Sequence, residues 1–188
     1  MFLTDYWYVA AWSEDVGETL LARTILGQSL VLYRLADGTP VALENRCPHR
    51  NLPLSEANRL GDTLQCAYHG LEFKPDGICR HVPGQKEVPD WARVRAYPVV
   101  ERDRWVFVWM GEAAAADAAA VPDYHRRIAD PDWHFAIGQK LVNAGYRLVL
   151  DNLLDLSHLS YVHSSTTGNP EVAETAQIIT EAEDEFVR

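Results

Sequence analysis

The length, composition and charge of this chain exclude several classes of protein. Its 188 residues are 47% hydrophobic, which is enough for one domain, or for a small domain and part of another. A net charge of −10 argues against nucleic acid as a partner, because phosphates would be repelled. Three cysteines give no disulfide framework, the N-terminus lacks the regions of a signal peptide, and no apolar run could span a bilayer. These features predict a cytoplasmic protein with no membrane partner.

Residues 1–111 consist mostly of sequence patterns that are typical of β-strands. Apolar, β-branched runs are joined by loops with an Asp-Gly step at 37–38 and at 76–77, which is typical of β-hairpins. We therefore expect an all-β domain over 1–111. The predicted strand pairs are 29–35 with 41–45, 71–73 with 78–81, and 97–101 with 105–110.

Two loops of this region carry metal-ligand side chains. Cys47-Pro48-His49 is followed, after sixteen residues, by Cys66-Ala67-Tyr68-His69. A Rieske [2Fe-2S] centre takes two cysteines on one iron and two histidines on the other. The pattern therefore predicts that Cys47, His49, Cys66 and His69 bind such a cluster.

Two other interpretations of these loops stay open. Structural zinc also takes cysteine and histidine, but zinc sites usually group the cysteines in one step and the histidines in another, whereas each loop here mixes the two. A zinc-ribbon interaction module is the corresponding alternative function. Ordinary buried residues would have to fall by chance into two loops of the same Cys-x(1–2)-His form.

The neighbours of these ligands indicate a low-potential centre. The loops of high-potential respiratory Rieske proteins carry two extra cysteines that form a disulfide. This chain has Leu52 and Tyr68 at those positions, and Cys79 has no cysteine partner. Leu71 replaces a serine that would donate a hydrogen bond to a bridging sulfide. With fewer such bonds, we expect a potential in the lower part of the roughly −150 to +300 mV range of Rieske centres.

The sequence changes character after residue 111. Residues 112–122 are alanine-rich and predict a linker or a short exposed helix. Beyond them, the residue pattern at 133–142 predicts a strand, and the pattern at 146–157 predicts a helix with one apolar side. Residues 123–188 would then begin a second domain. The residues expected on the core side of the helix are Leu148, Val149, Leu153 and Leu156.

A pair of histidines follows this helix and suggests a mononuclear iron site. Two histidines and a carboxylate form the facial triad of non-haem Fe(II) oxygenases, and His158 and His163 are the candidate ligands. They are separated by about 140° around an ideal helix, so both reach one metal only if the helix is bulged or ends between them. Asp155 lies one turn before His158 and is expected to accept a hydrogen bond from its second ring nitrogen. Alone, the pattern also fits two surface or capping histidines.

With both motifs present, the chain resembles the oxygenase component of the Rieske non-haem iron oxygenases. The Asp-x(2)-His-x(4)-His motif of that family is matched by Asp155, His158 and His163. Within the family, the chain resembles the vanillate O-demethylase and dicamba O-demethylase branch. The resemblance covers nearly all 188 residues, with matching segments at 6–10, 47–55, 68–73, 83–85, 97–102 and 151–163.

The resemblance implies a fold, cofactors and partners. The implied fold is α+β, with the all-β Rieske domain followed by the N-terminal part of a helix-grip catalytic domain, an antiparallel sheet with helices. The implied cofactors are a [2Fe-2S] cluster and mononuclear Fe(II), and the implied partners are O2, a small aromatic substrate and a flavin and iron–sulfur reductase that uses NAD(P)H. A homotrimer is also implied, in which Asp155 bridges His69 of one subunit to His158 of the next for electron transfer.

The implied reaction belongs to aromatic catabolism. A monooxygenase of this branch hydroxylates the methoxy carbon of an aromatic acid, so that formaldehyde leaves. Ring hydroxylation by a dioxygenase of the same family is one alternative, and a Rieske electron carrier without oxygenase activity is another. The third iron ligand of the family, an aspartate or glutamate, would lie beyond residue 188. The acidic run 181–185 predicts a solvated face or turn, and we name no carboxylate ligand.

Overall fold

The chain forms two compact units, Met1–Ala136 and Ile137–Arg188. The structure, a computed structural model, describes residues 2–123, 126–175, 177, 179, 181–183 and 186–187. No helix in these described ranges is long and apolar enough to cross a membrane.

Antiparallel strands build the first unit, and in its described part they form three sheets with the orders β2-β3-β4-β9, β1-β11-β10 and β5-β6-β7-β8. The strands are β1 Trp7–Trp12, β2 Leu21–Ile25, β3 Gln28–Arg34, β4 Pro40–Glu44, β5 Asn58–Leu60, β6 Thr63–Gln65, β7 Glu72–Phe73, β8 Cys79–His81, β9 Ala96–Tyr97, β10 Val99–Arg102 and β11 Trp105–Trp109.

The central strands β3 and β4 of the β2-β3-β4-β9 sheet are buried on both faces. Neighbouring side chains of a strand point to opposite faces, yet residues 30–33 of β3 are all fully buried. Leu30 and Leu32 pack into one core with residues of β1 and β11. Val31 and Tyr33 pack into a second core that contains Cys47 and Cys66. One face of this sheet therefore packs in the same core as the two candidate cysteine ligands.

The expected hairpins are present, with one change of partner. β3 pairs with β4 across the Asp37-Gly38 turn, and β7 pairs with β8 across Asp76-Gly77. β10 pairs with β11, as the third predicted pair requires. Tyr97, however, pairs with Ala42 of β4 and so joins the central sheet. Pro98 separates the two short strands, and a proline cannot donate a hydrogen bond to a continuous ladder.

The alanine-rich segment 112–121 is attached to the first unit through its backbone. It forms two exposed 3₁₀ turns, Ala113–Ala115 and Ala118–Ala120. Side chains of the β1-β11-β10 sheet donate to its carbonyl oxygens. These bonds run from Trp109 Nε1 to Glu112 at 2.9 Å, from Trp7 Nε1 to Asp117 at 2.8 Å, and from the Arg102 guanidinium to Ala118 at 3.3 Å and Val121 at 2.5 Å.

The second unit departs from the expectations. Its elements are the helices α1 Tyr146–Leu154, α2 Leu159–Val162 and α3 Pro170–Thr175 and the strand pair β12 Ala182–Glu183 and β13 Phe186–Val187. The predicted strand at 133–142 is wrong, because these residues pair with no described strand. The predicted helix 146–157 ends at Leu154, where Asp155 becomes extended.

The predicted core side of this helix is also wrong. Leu148, Leu153 and Leu156 are exposed, and Val149 is only half-buried. An amphipathic pattern predicts which side of a helix would be buried, but burial needs a second apolar surface to pack against. The described residues of the second unit supply none for α1, which has no buried residue.

Arg34, at the end of β3, connects four segments of the first unit. Its guanidinium donates to the carbonyl oxygens of Val16, Ser13 and Gly38, each at 2.8 Å. It also donates to both carboxylate oxygens of Glu101, at 2.7 and 2.8 Å. All five N–H groups of the side chain are therefore used. The Arg34 hydrogen bonds hold the pKa of Glu101 below its usual range.

We expect Arg34→Lys to lower the free energy of unfolding by about 2 kcal/mol, because an ammonium cannot satisfy the fork of acceptors that the guanidinium reaches. Denaturant unfolding of the purified holoprotein measures this. Arg93→Lys is the matched control, since exposed Arg93 makes one side-chain bond, to the Asp90 carbonyl oxygen at 2.9 Å. Equal losses in the two variants would contradict the role of Arg34.

Candidate functional site

The first candidate ligand loop, residues 47–52, is closed by its own backbone. The N–H of Cys47 donates to the carbonyl oxygen of Leu52 at 2.8 Å, and the N–H of Asn51 donates to that of Cys47 at 2.9 Å. Asn51 has a positive φ of 60°, which asparagine tolerates better than most residues. The turn places Cys47 inward and leaves His49 exposed.

The second loop, residues 66–71, repeats this arrangement. The N–H of Cys66 donates to the Leu71 carbonyl oxygen at 2.8 Å, and the N–H of Gly70 donates to that of Cys66 at 2.9 Å. Gly70 has a φ of 74°, at the position equivalent to Asn51. The two loops therefore share one backbone design, in which a left-handed residue four places after the cysteine ends the turn.

The four candidate ligands divide into a buried pair and an exposed pair. Cys47 and Cys66 are 1% and 2% exposed, whereas His49 and His69 are exposed with ring centroids 4.5 Å apart. Burial raises the pKa of the Cys47 thiol to about 11. Because a buried thiolate is costly without a cation, the sulfur pair favours a metal as its partner.

This arrangement fits a binuclear cluster better than a single zinc ion. A structural zinc needs four ligands around one ion. Within the ranges that the structure describes, no three His, Cys, Asp or Glu side chains converge closely enough to share one ion. In a Rieske cluster only two protein side chains need to meet at each iron. The donor set of two thiols and two imidazoles therefore fits the [2Fe-2S] group.

Aromatic rings flank the exposed histidines. The ring of Tyr68 lies over that of His69, with centroids 3.9 Å apart, and Trp91 lies 6.5 Å from His49. The sequence analysis missed Trp91, because only tertiary structure brings the segment 82–92 to the ligand loops. Pro83 of that segment packs against Gly70, where its Cγ lies 3.0 Å from the position of an added Cβ.

Gly70→Ala is expected to lower the cluster content of the purified protein. Alanine is strained at positive φ by about 1 kcal/mol, and its Cβ would also press on Pro83, so the loop must shift beside His69. Iron and labile sulfide per chain measure the loss. Gly38→Ala is the control, because Gly38 has a φ of 89° but open space around it. A similar loss in both variants would rule out the local contact as the cause.

The second histidine pair, His158 and His163, follows the end of α1, in a region of shorter helical segments. A 3₁₀ turn covers Leu156–His158, α2 covers Leu159–Val162, and His163 ends it. This irregularity confirms the expectation that an ideal helix does not continue through the pair. The rings of His158 and His163 come together, with centroids 5.3 Å apart.

The contacts of Asp155 differ from the expected ones. Its carboxylate oxygen Oδ1 accepts from the N–H of Ser157 at 3.0 Å and from the Ser157 hydroxyl at 2.5 Å. These bonds lower the pKa of Asp155. It is the Asp155 carbonyl oxygen, not the carboxylate, that contacts His158 Nδ1. Since a carbonyl oxygen only accepts, Nδ1 carries the proton and Nε2 keeps a lone pair for a metal.

Gly168 fixes the turn after His163 and was missed by the sequence analysis. Its N–H donates to the His163 carbonyl oxygen at 2.8 Å. A Cβ at this position would lie 2.6 Å from the carbonyl oxygen of Leu159 and 2.9 Å from that of His163. The sequence feature that could have indicated this turn is a glycine five residues after the candidate ligand His163.

The described residues add no carboxylate to this pair. No third His, Cys, Asp or Glu converges on His158 and His163 in the part of the chain that the structure describes. Of the acidic run 181–185, Ala182–Glu183 forms β12, while residues 184 and 185 lie outside the described residues. The third ligand therefore stays unassigned.

A cavity of about 330 Å³ lies elsewhere on the first unit. It is lined by Glu18, Arg34, Leu35, Ala36, Arg59, Gly61 and Asp62. None of these residues belongs to a ligand loop, and the Arg34 guanidinium is saturated by protein acceptors. We assign it no role in the chemistry.

Comparison with known proteins decides between the interpretations of the ligand loops. The family model of the Rieske [2Fe-2S] domain matches residues 6–98, and that of the vanillate O-demethylase oxygenase C-terminal domain matches 142–188. Residues 6–98 are a Rieske [2Fe-2S] domain. The expected all-β Rieske fold, with antiparallel sheets and few helices, is thereby confirmed.

Individual relatives extend the similarity over most of the chain. Over 180 residues the chain is 43% identical to the iron–sulfur subunit of the toluene-4-sulfonate monooxygenase system of Comamonas testosteroni. The match covers 95% of this chain and 52% of that protein. Over 163 residues it is 46% identical to the oxygenase component of dicamba O-demethylase from Stenotrophomonas maltophilia, covering 86% and 48%.

The structural comparison agrees. A crystal structure of dicamba monooxygenase bound to dicamba matches with a TM-score of 0.91 at 40% identity, over 99% of this chain and 55% of that one. The resemblance to the vanillate and dicamba O-demethylase branch is confirmed. The chain spans about half the length of the curated relatives it matches.

Proposed function

We propose that this chain belongs to the oxygenase component of a multicomponent Rieske monooxygenase that O-demethylates a methoxy-aromatic acid. The observation that carries the proposal is the presence, in one chain, of a Rieske domain with paired ligand loops and a second, separate pair of adjacent histidines. An electron carrier would need only the first of these. The similarity to dicamba O-demethylase supports the choice of reaction.

In this proposal each side-chain pair has one task. Cys47 and Cys66 would hold one iron of the cluster, and His49 and His69 would hold the other. His158 and His163 would hold the mononuclear iron, together with a carboxylate that the described residues do not provide. When bound, the cluster supplies one-electron transfer and the mononuclear iron supplies activation of O2.

Asp155 has two oxygens with different surroundings. Oδ1 is fixed by Ser157, which orients the carboxylate and favours its anionic form. We propose that Asp155 links His69 of one subunit to His158 of the next in a homotrimer, with its carboxylate accepting a charge-assisted hydrogen bond from His69 and its carbonyl oxygen accepting from His158 Nδ1. Exposure of His69 leaves its ring available for such a contact.

The proposed reaction consumes O2, two electrons and two protons. One oxygen atom enters a methoxy C–H bond, the other leaves as water, and the hydroxymethyl ether releases formaldehyde and a phenol. The electrons would come from NAD(P)H through a separate flavin and iron–sulfur reductase, as the component naming of the relatives suggests. The cytoplasm is the proposed location, and no nucleic acid is involved.

A second candidate reaction is favoured by a specific relative. The chain is also 43% identical to a subunit of a toluene-4-sulfonate monooxygenase system. This raises oxidation of a methyl group on an aryl sulfonate, a reaction that releases no formaldehyde. Both candidates oxidise a one-carbon substituent on an aromatic anion, so the same enzyme preparation can be tested with both substrate classes.

The first experiment measures the cluster and the product together. We expect the reduced holoprotein to give a Rieske electron paramagnetic resonance spectrum. With NADH, a reductase and a panel of methoxybenzoates, we expect one formaldehyde per O2 consumed. A Rieske spectrum without formaldehyde, but with hydroxylated toluenesulfonate, would favour the second reaction. A Rieske spectrum with no mononuclear iron would favour the electron carrier.

The Asp155 proposal is tested by Asp155→Asn. We expect both metal contents to be retained and turnover to fall by a factor of about 100 or more, because a neutral amide cannot replace the charge-assisted hydrogen bond between the carboxylate and His69. Stopped-flow reduction separates the steps, since reduction of the cluster by the reductase should be unchanged. Ser164→Ala is an exposed control. Full turnover in Asp155→Asn would refute the bridge.

A further inference from the structure

The two ligand loops have the same internal hydrogen bonds. They differ at the base, which is where the two ends of each loop are held together. The second loop lies at the end of a hairpin, where Gln65 of β6 pairs with Glu72 of β7. Their side chains also meet, with Gln65 Nε2 donating to Glu72 Oε1 at 3.2 Å. Strand pairing therefore fixes the separation of the two ends of this loop.

The first loop has no strand pair at its base. It follows β4, which ends at Glu44, and it leads into a 3₁₀ turn at Leu54–Glu56. Within the described chain, β4 pairs with β3 and β9, and no strand follows the loop to pair across it. Another interaction must hold its two ends together.

The side chain of Asn45 makes that connection. Its Oδ1 accepts from the N–H of Ser55 at 2.6 Å, and its Nδ2 donates to the Ser55 hydroxyl at 3.1 Å. Nδ2 also donates to the hydroxyl of Ser29 at 3.2 Å, and the Asn45 N–H donates to the Ser29 carbonyl oxygen at 2.9 Å. Asn45 is 8% exposed, so its side chain makes these bonds where water is largely excluded.

We propose that Asn45 is a positioning residue of the cluster site, whose amide closes the base of the first ligand loop as strand pairing closes the second. Asn45 and Ser55 bracket the segment that contains Cys47 and His49. Their separation therefore sets where the first thiol and imidazole lie relative to Cys66 and His69. The inference rests on the assignment of the [2Fe-2S] cluster to these loops, and it adds the group that holds their geometry.

The chemistry of the amide makes it hard to replace. An aspartate would keep an acceptor for the Ser55 N–H but lose both Nδ2 donors and bury a charge. An alanine would leave the Ser55 N–H without its partner, which is costly where water is excluded. Ser55→Ala removes only one hydroxyl acceptor and keeps the shortest bond, so it is the mildest change.

The test compares Asn45→Ala, Asn45→Asp and Ser55→Ala with the wild-type holoprotein. Asn58→Ala, at an exposed position of β5, is the matched control. Under a chelator challenge, we expect the half-life of the cluster absorbance to fall about tenfold in Asn45→Ala and by a smaller factor in Ser55→Ala, in line with the number of bonds lost. The g values and midpoint potential of the remaining cluster should also shift, while those of Asn58→Ala stay unchanged.

These readouts separate positioning from general stability. A loss of melting temperature with unchanged half-life, g values and potential would mean that Asn45 only stabilises the fold, and the proposal would be overturned. If Asn45→Ala does not fold, Ser55→Ala decides by the same criteria. A wild-type protein without a Rieske spectrum would instead overturn the cluster assignment, and with it this proposal. Formaldehyde release plays no part in the test, so the choice of substrate stands or falls separately.

Discussion

Two cysteine side chains lie buried in an apolar core, and the rest of the first unit is arranged around them. Burial raises the pKa of the Cys47 thiol, yet a [2Fe-2S] cluster binds thiolates. The sheet beneath them is packed on both faces, so their positions can be fixed tightly. The histidines emerge only two or three residues later in each loop. The left-handed residue after each histidine ends the turn, and the carbonyl oxygen of the next residue accepts from the cysteine N–H.

The sequence predicted those parts of the site that depend on residue type and spacing. The four candidate cluster ligands, the two candidate iron ligands near residue 160 and the turns with Asp-Gly steps all follow from local patterns. Asn45, Arg34 and Trp91 could not be found in this way. Each has a partner 10 to 67 residues away along the chain, and nothing in their immediate sequence neighbours distinguishes them from ordinary surface residues.

The errors in the second unit have a different cause. A strand at 133–142 and a buried side of α1 were inferred from apolar periodicity, which describes a tendency to be covered rather than the presence of a cover. The contacts of His158 illustrate the same limit. Residue spacing correctly brought Asp155 near the ring, but it could not tell a carboxylate oxygen from the backbone carbonyl oxygen of the same residue.

The alanine-rich segment after β11 illustrates how low sequence complexity and a fixed path can coexist. Its anchors on the sheet are donors on tryptophan and arginine side chains, and its own contribution is carbonyl oxygens that every residue possesses. Exchanges among its exposed alanines therefore leave these bonds in place, whereas the loss of a donor on the sheet removes one or two of the four attachments. The path of the segment is therefore encoded largely in the sheet, and a change in its length would move the acceptor carbonyl oxygens away from their donors.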